Sequence, residues 1–145
     1  MTGKCQNLKF GFTAAATSAD TECSSDGERY AQMLTDCKLG FELGYDCAWV
    51  LEHHFTDYFP TPSPIVVMSH LAAAFPGLSL GSCVLVLPWY NPLRLAEEIS
   101  MLSHFCKGDL HLAFGRGTAK IEYDAYDIDM SSAKERFKEA IKIIN

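Results

Sequence analysis

A strand followed by a helix recurs four times along the chain, and this repetition constrains the fold more than any other feature. Apolar stretches with strand character begin near Leu8, Tyr45, Leu78 and Asp109, and each precedes a stretch with helical periodicity. One unit takes about 30–35 residues, the length of a strand with its crossover helix. Such alternation predicts a parallel sheet covered by helices. A complete eight-unit barrel needs about 250 residues, so the 145 residues allow either a small open sheet or about half a barrel.

Four cap signals mark where the helices begin. A serine three residues before a glutamate has the spacing of a capping box. A serine or asparagine directly before a proline is a second signal, because it joins an N-cap residue to the residue favoured at the first helical position. The signals are Ser25 with Glu28, Ser63-Pro64, Asn91-Pro92, and Ser132 with Glu135. The strands predicted between them are Leu8–Ala14, Tyr45–Glu52, Leu78–Leu87 and Asp109–Phe114. The stretch before Ser132 is polar and is not assigned to an element.

Charge, hydropathy and cysteine spacing exclude several classes of protein. Twelve basic and eighteen acidic residues give a net charge of −6, and the absence of a basic stripe argues against a nucleic-acid partner. No apolar run approaches the ~20 residues of a membrane span, and residues 1–10 lack a signal-peptide core. The six cysteines include no C-x-x-C pair, which favours reduced thiols. We therefore expect one cytoplasmic domain over residues 1–145 with no membrane partner.

The densest polar cluster lies at the C-terminal end of the second predicted strand. It contains Glu52, His53, His54 and Asp57, at the edge where parallel sheets and barrels carry their chemistry. Alternation places His53 on one face with Leu51, and His54 on the other with Glu52. The two histidines are therefore not expected to chelate one metal together. We expect one to face a site while Glu52 or the backbone holds the other; a purely structural role for both is the alternative.

A second candidate, residues 114–117 (Phe-Gly-Arg-Gly), follows the fourth strand. Glycines let backbone amides approach an anion, and Arg116 offers a planar fork for phosphate oxygens. A tight turn without a ligand is the alternative. No P-loop, H-E-x-x-H or G-x-S-x-G sequence is present.

Taken in order, these blocks resemble the bacterial luciferase-like flavin monooxygenases. The second-strand block is residues 49–55 (WVLEHHF), with Asp57 and Tyr58 after it. Residues 86–88 (VLP), followed by Pro92 and Arg94, are similar to the third strand and helix of that family. Lys107-Gly108 and then residues 115–117 (GRG) resemble its fourth strand and loop. The similarity runs from about Leu8 to Lys142.

The resemblance implies a fold, a reaction and partners. The fold would be a TIM (β/α)8 barrel, with this chain covering about the first four βα units. Reduced FMN would react with O2 to a flavin C4a-peroxide that oxidises an aldehyde or a similar organic substrate; a deazaflavin is the alternative cofactor. The expected partners are a small-molecule substrate, a flavin reductase and a second subunit in a homo- or hetero-dimer.

The resemblance also implies roles for individual residues. His53 would lie near the flavin ring and assist by proton transfer or hydrogen bonding, while Arg116 would grip the flavin phosphate. The segment Cys83-Val84 would lie against the isoalloxazine through a cis peptide that no proline follows. Phe114 and Gly115 would complete the cofactor site, where a phenyl ring would crowd the flavin.

The length and the departures from the family pattern leave alternatives open. A chain of four units is either a fragment or a reduced homologue, and its uncovered apolar face favours self-association. The side chains expected on that face are Phe10, Leu51, Val84 and Leu112. A non-catalytic flavin-binding or subunit-partner homologue is one rival function. A metal-dependent barrel hydrolase that uses His53 or His54 with Asp57 is another.

Overall fold

The computed structural model describes residues 8–17 and 25–145, which form four successive βα units and an additional helix. The strands are β1 (Gly11–Ala14), β2 (Cys47–Val50), β3 (Ser79–Val86) and β4 (Leu110–Gly115). The helices are α1 (Asp26–Glu42), α2 (Pro64–Ala74), α3 (Pro92–Phe105), α4 (Lys120–Ala125) and α5 (Ala133–Ile144). All neighbouring strands pair in parallel, in the order β1-β2-β3-β4. The predicted parallel sheet is therefore confirmed.

Three of the four predicted helix caps form. Ser25 and Glu28 make the full capping box on α1, Ser63 accepts a hydrogen bond from the third residue after it, and Asn91 caps α3. The predicted capping box at Ser132 is wrong, since this serine has helical φ and ψ of −80° and −10° and makes no cap bond. Its hydroxyl instead donates to the Asp129 carbonyl over 2.6 Å.

The short helix α4 occupies the polar stretch that sequence patterns leave unassigned. Its N-cap is Ala119, which offers no side-chain acceptor, and the helix has only six residues. An exposed ion pair of 2.6 Å joins Lys120 to Asp124 across one turn, while Glu122 and Tyr123 are buried. This helix brings an acidic side chain into the interior beside the end of β2.

The apolar core lies between the sheet and its helices. Ala48, Val50, Leu80 and Leu85 contribute from the strands, and each has no exposed surface. The helices cover them with fully or almost fully buried side chains, including Met68, Leu71, Leu95 and Leu102. One face of the sheet is thus completely packed.

The opposite face, here called the open face, carries Trp49, Leu51, Val84 and His111. The Trp49 ring stacks on His111 with centroids 5.8 Å apart, and it covers Gly81, whose position could not accept a Cβ without meeting that ring. Trp49, Leu51 and Val84 are each partly exposed. Alternation therefore places large side chains on a face that none of the helices α1 to α5 covers.

One side chain expected on this face lies elsewhere. Leu112 pairs with Ser82 in the sheet and packs against the helix-side core. The expectation was wrong because the helices cover the face of β4 that carries its larger apolar side chains. Phe10 precedes β1, is exposed, and lines a cavity with Trp49 and His111 near the N-terminal ends of the strands.

Four cysteines, Cys37, Cys47, Cys83 and Cys106, are free thiols, as the spacing predicts; Cys5 and Cys23 lie outside the described residues. Within the described ranges, no helix is both long and apolar enough to cross a bilayer.

Candidate active site

The two adjacent histidines lie just beyond the C-terminal end of β2 and differ sharply in burial. The side chain of His54 is 6% exposed and that of His53 is 33% exposed. Alternation continues past the strand, because Val50, Glu52 and His54 are all buried while Leu51 and His53 are not. The predicted division of the two histidines between opposite faces is therefore confirmed.

His54 is held at both ring nitrogens. Its Nε2 lies 2.9 Å from Glu52 Oε1, and the Tyr126 hydroxyl lies 2.8 Å from its Nδ1. A carboxylate only accepts hydrogen bonds, so Nε2 carries the proton and Nδ1 accepts from Tyr126. Glu52 Oε2 in turn accepts from the Val86 amide over 2.9 Å. His54 thus belongs to a buried network that joins the ends of β2 and β3 to α4, as predicted for the histidine that Glu52 holds.

His53 is placed by its backbone and by aromatic contacts. Its amide donates to the Thr61 carbonyl over 3.1 Å, and its ring stacks on Phe59 with centroids 5.5 Å apart and an interplanar angle of 18°. The Nδ1 atom is buried without a hydrogen-bond partner, whereas Nε2 is not among the buried atoms. His53 therefore presents one ring nitrogen to the interior and the other to the accessible side.

Two functional candidates from α4 were not found by sequence reasoning. The buried Glu122 carboxylate accepts from the His54 amide over 2.9 Å, and the same oxygen lies 3.6 Å from His53 Nδ1. Tyr126 lies at the C-terminal end of this helix and contacts the His54 ring. The signal that could have identified them is the i,i+4 spacing of an acid and a tyrosine within the unassigned polar stretch.

Two tyrosine phenols line this network and remain protonated. Burial raises the pKa of Tyr90, and the nearby Glu52 carboxylate raises it further. Burial also raises the pKa of Tyr126, with Glu52 and Glu122 adding to the effect. A protonated Tyr126 keeps its hydroxyl as a donor to His54, which supports the tautomer assigned above.

The Cys83-Val84 peptide in β3 is cis, as the resemblance implies. It lies where the pairing of β3 with β4 shifts register, between Ser82 and Leu85. The Ser82 hydroxyl bridges to β4 at this point, since it donates to the Ala113 carbonyl and accepts from the Ala113 amide at 2.9 and 3.0 Å. Cys83 is exposed here and Val84 is half-buried.

Packing accounts for both glycines of the Gly-Arg-Gly segment. A Cβ at Gly115 would collide with Val84, and one at Gly117 would lie 2.6 Å from the Trp89 ring at a φ of +71°. The Arg116 carbonyl accepts from the Tyr123 hydroxyl. Arg116 is exposed. Among residues 8–17 and 25–145, no group forms a hydrogen bond or an ion pair with its guanidinium. The arginine is therefore the feature of this loop that local packing does not explain.

The Phe114 ring does not lie with these groups. Phe114 pairs with Leu85 in the sheet and packs against the helix-side core. The expectation that its ring crowds the cofactor side is wrong, because Leu112 and Phe114 alternate onto the face of β4 that the helices cover.

An open cavity of about 410 Å³ adjoins the histidines. It lies between the N-terminal turn of α1, the loop after β2 and the end of α4. Its lining includes His53, His54, Phe55, Thr56 and Tyr126. The described residues include no group of three His, Cys, Asp or Glu side chains arranged to hold a metal, and both nitrogens of His54 are engaged by protein groups.

Comparison with known families explains this arrangement. A model of the luciferase-like monooxygenase family matches residues 9–145. The chain belongs to the luciferase-like monooxygenases. The resemblance inferred from residues 49–55, 86–94 and 107–117 is thereby confirmed.

The curated relatives with functional names include two different monooxygenases. The alkanal monooxygenase alpha chain of Photorhabdus luminescens is 31% identical over 97 residues, which are 67% of this chain and 27% of the relative. The oxygenase component of a flavin-dependent trigonelline monooxygenase from Acinetobacter baylyi is 29% identical over 117 residues, which are 79% of this chain and 32% of the relative. The luciferase-like chain thus spans about a third or less of the length of these relatives.

Two solved structures have the same fold. The monooxygenase RslO1 of Streptomyces bottropensis superposes with a TM-score of 0.86 at 27% identity, covering 94% of this chain and 42% of RslO1. The oxygenating constituent of 3,6-diketocamphane monooxygenase from Pseudomonas putida, solved with FMN, superposes with a TM-score of 0.83 at 16% identity, covering 94% of this chain and 38% of that one. The four βα units therefore have the fold of a TIM-barrel monooxygenase over the part they share.

Proposed function

We propose that the luciferase-like protein oxygenates an aldehyde or a similar organic substrate with reduced FMN and O2. Three similarities support this: the family, a relative named as an alkanal monooxygenase, and a relative named as flavin-dependent. A neighbour with the same fold was solved with FMN. We propose FMN over a deazaflavin for that reason.

The residues at the C-terminal edge of the sheet fit a flavin mononucleotide. A planar ring needs room beside the strands, and Gly115, which has no side chain to project, lies against Val84. A phosphate needs an available cation, and Arg116 is exposed and has no ion-pair partner among the described residues. A bidentate guanidinium contact is the geometry that arginine favours with phosphate oxygens.

The observation that carries the proposal is the placement of His53 at this edge. It has one buried nitrogen beside the Glu122 carboxylate and one accessible nitrogen, as a group that holds or moves a proton requires. Bound reduced flavin would supply the electrons that activate oxygen. His53 would hold or transfer a proton at Nε2, while Trp49, Leu51 and Val84 would limit the access of water.

We also propose partners for the complete reaction. The relative named as an oxygenase component suggests that a separate flavin reductase supplies the reduced cofactor. The substrate would be a small organic molecule. A homo- or hetero-dimeric state, which the resemblance implies, stays a prediction.

The test compares wild-type protein with His53→Ala, given reduced FMN, oxygen and a series of alkanals. We expect His53→Ala to retain flavin and to lose oxygenated product by ~10²–10⁴-fold, the usual effect of removing a proton-transfer group. His70→Ala is the matched control, since His70 is exposed on α2, and it should form product at the wild-type rate.

Two outcomes would contradict the proposal. Wild-type protein that binds FMN tightly but forms no oxidised product would indicate a non-catalytic homologue. A His53→Ala variant as productive as the His70→Ala control would exclude the catalytic role of His53.

A further inference from the structure

We propose that Glu122 is the positioning residue of His53, fixing the proton of the neutral ring on Nδ1 and leaving Nε2 as the proton acceptor. The inference rests on the proposed function only in giving His53 its catalytic role. The tautomer itself follows from the groups around the ring.

Glu122 is a fixed acceptor. Its side chain is 4% exposed, and its Oε1 accepts from the His54 amide over 2.9 Å. The α4 helix that carries it is tied to the end of β4, because the hydroxyl of its buried Tyr123 donates to the Arg116 carbonyl. The carboxylate therefore stays in place when the histidine ring changes its protonation.

Within the part of the chain that the structure describes, Glu122 is the acceptor that lies near Nδ1 on the buried side of His53. Nδ1 has no hydrogen-bond partner, and Glu122 Oε1 is 3.6 Å away. The ring is flanked by Phe59 and Tyr58, whose ring centroids lie 5.5 and 5.6 Å from its own. A carboxylate attracts an N–H and repels a nitrogen lone pair, so the Nδ1–H tautomer is favoured. Nε2 is then unprotonated on the accessible side.

The neighbouring histidine has the opposite arrangement. Glu52 faces Nε2 of His54, and the Tyr126 hydroxyl donates to Nδ1, so His54 carries its proton on Nε2. Two consecutive histidines thus have opposite tautomers, each set by a different buried glutamate. This contrast gives the experiment an internal reference.

The experiment measures the two ring tautomers by long-range ¹H–¹⁵N spectra of flavin-free, ¹⁵N-labelled protein, at a pH where both rings are neutral. His53→Ala assigns the His53 signals. The decisive variant is Glu122→Met, which removes the oxygen that faces both His53 Nδ1 and the His54 amide while keeping a side chain of similar length. Asp124→Met, on the exposed side of the same helix, is the matched control.

We expect wild type and Asp124→Met to show His53 mainly as Nδ1–H, and Glu122→Met to convert it mainly to Nε2–H while His54 stays Nε2–H. An Nε2–H tautomer of His53 in wild type, or an unchanged tautomer in Glu122→Met, would overturn the proposal. If Glu122→Met does not fold, the wild-type tautomer decides, with Glu122→Asp expected to keep Nδ1–H. Because no flavin is present, a failure of the proposed oxygenation would leave this result unaffected.

Discussion

The two faces of the sheet differ in packing although their strands are the same. On the helix side, Ala48, Val50, Leu80 and Leu85 have no exposed surface. On the open face, Trp49, Leu51 and Val84 remain partly exposed. Neighbouring residues of one strand therefore experience different environments, as alternation in a strand requires.

This difference separates the residues that stabilise the fold from the residues that we propose carry the chemistry. The helix side holds the continuous apolar core, whereas the open face and the C-terminal edge hold the groups assigned to FMN. His53 and His54 repeat this division at the end of β2, because His54 is buried and held at both ring nitrogens whereas the side chain of His53 is partly exposed. Substitutions on the two faces should therefore affect different measurements.

The largest expected difference concerns two leucines, Leu80 in β3 and Leu51 directly after β2. Leu80→Ala removes a fully buried side chain from the helix-side core, and we expect it to lower the free energy of unfolding by ~2–5 kcal/mol. Leu51→Ala on the open face should cost less than about 1.5 kcal/mol, because this side chain already contacts solvent. Urea unfolding of both variants is the measurement. Equal losses would show that the open face is packed as tightly as the other.

A smaller effect should appear at alkaline pH. Burial on the helix side, with Asp36 adding to it, raises the pKa of Cys37 from 9.0 to about 11. The folded state then holds this proton more tightly than the unfolded state does. The contribution of the protonated Cys37 thiol to the free energy of unfolding is therefore complete below about pH 9. As the pH rises towards 11 this contribution is lost, which lowers the free energy of unfolding by up to ~2–3 kcal/mol.

Unfolding free energies measured between pH 8 and 11 check this effect. Cys37→Ala should show a shallower decline than wild type over that range. Cys83→Ala, which changes an exposed thiol, is the control and should follow the wild-type curve. If the free energy of unfolding of Cys37→Ala declined as steeply as that of wild type, burial in the core would not raise the pKa of the Cys37 thiol.

Strand alternation and capping chemistry were sufficient to predict much of this structure. The four βα units and the separate environments of His53 and His54 follow from them, and the cis peptide at Cys83-Val84 follows from the family resemblance. The placement of Phe114 did not follow, because alternation groups Leu110, Leu112 and Phe114 on one face of β4 but does not show which face the helices cover. That choice depends on tertiary contacts.

The contribution of α4 could not be predicted for a different reason. A helix of six residues without a side-chain cap has weak local signals, and tertiary contacts hold it in place. Glu122 is buried by contacts with His53 and His54, which lie 68 or more residues earlier in the chain. An acidic residue in a polar stretch is ordinarily interpreted as exposed.

The central claim is that FMN binds at the C-terminal edge with its phosphate on Arg116. Titration of wild type, Arg116→Ala and Lys120→Ala with FMN and with riboflavin, which lacks the phosphate, tests it most directly. Lys120 is the control because its charge is already paired with Asp124. We expect Arg116→Ala to weaken FMN binding by roughly 10- to 150-fold, equivalent to ~1.5–3 kcal/mol, with riboflavin affinity unchanged and Lys120→Ala like wild type. Equal FMN affinity in wild type and Arg116→Ala would contradict the claim.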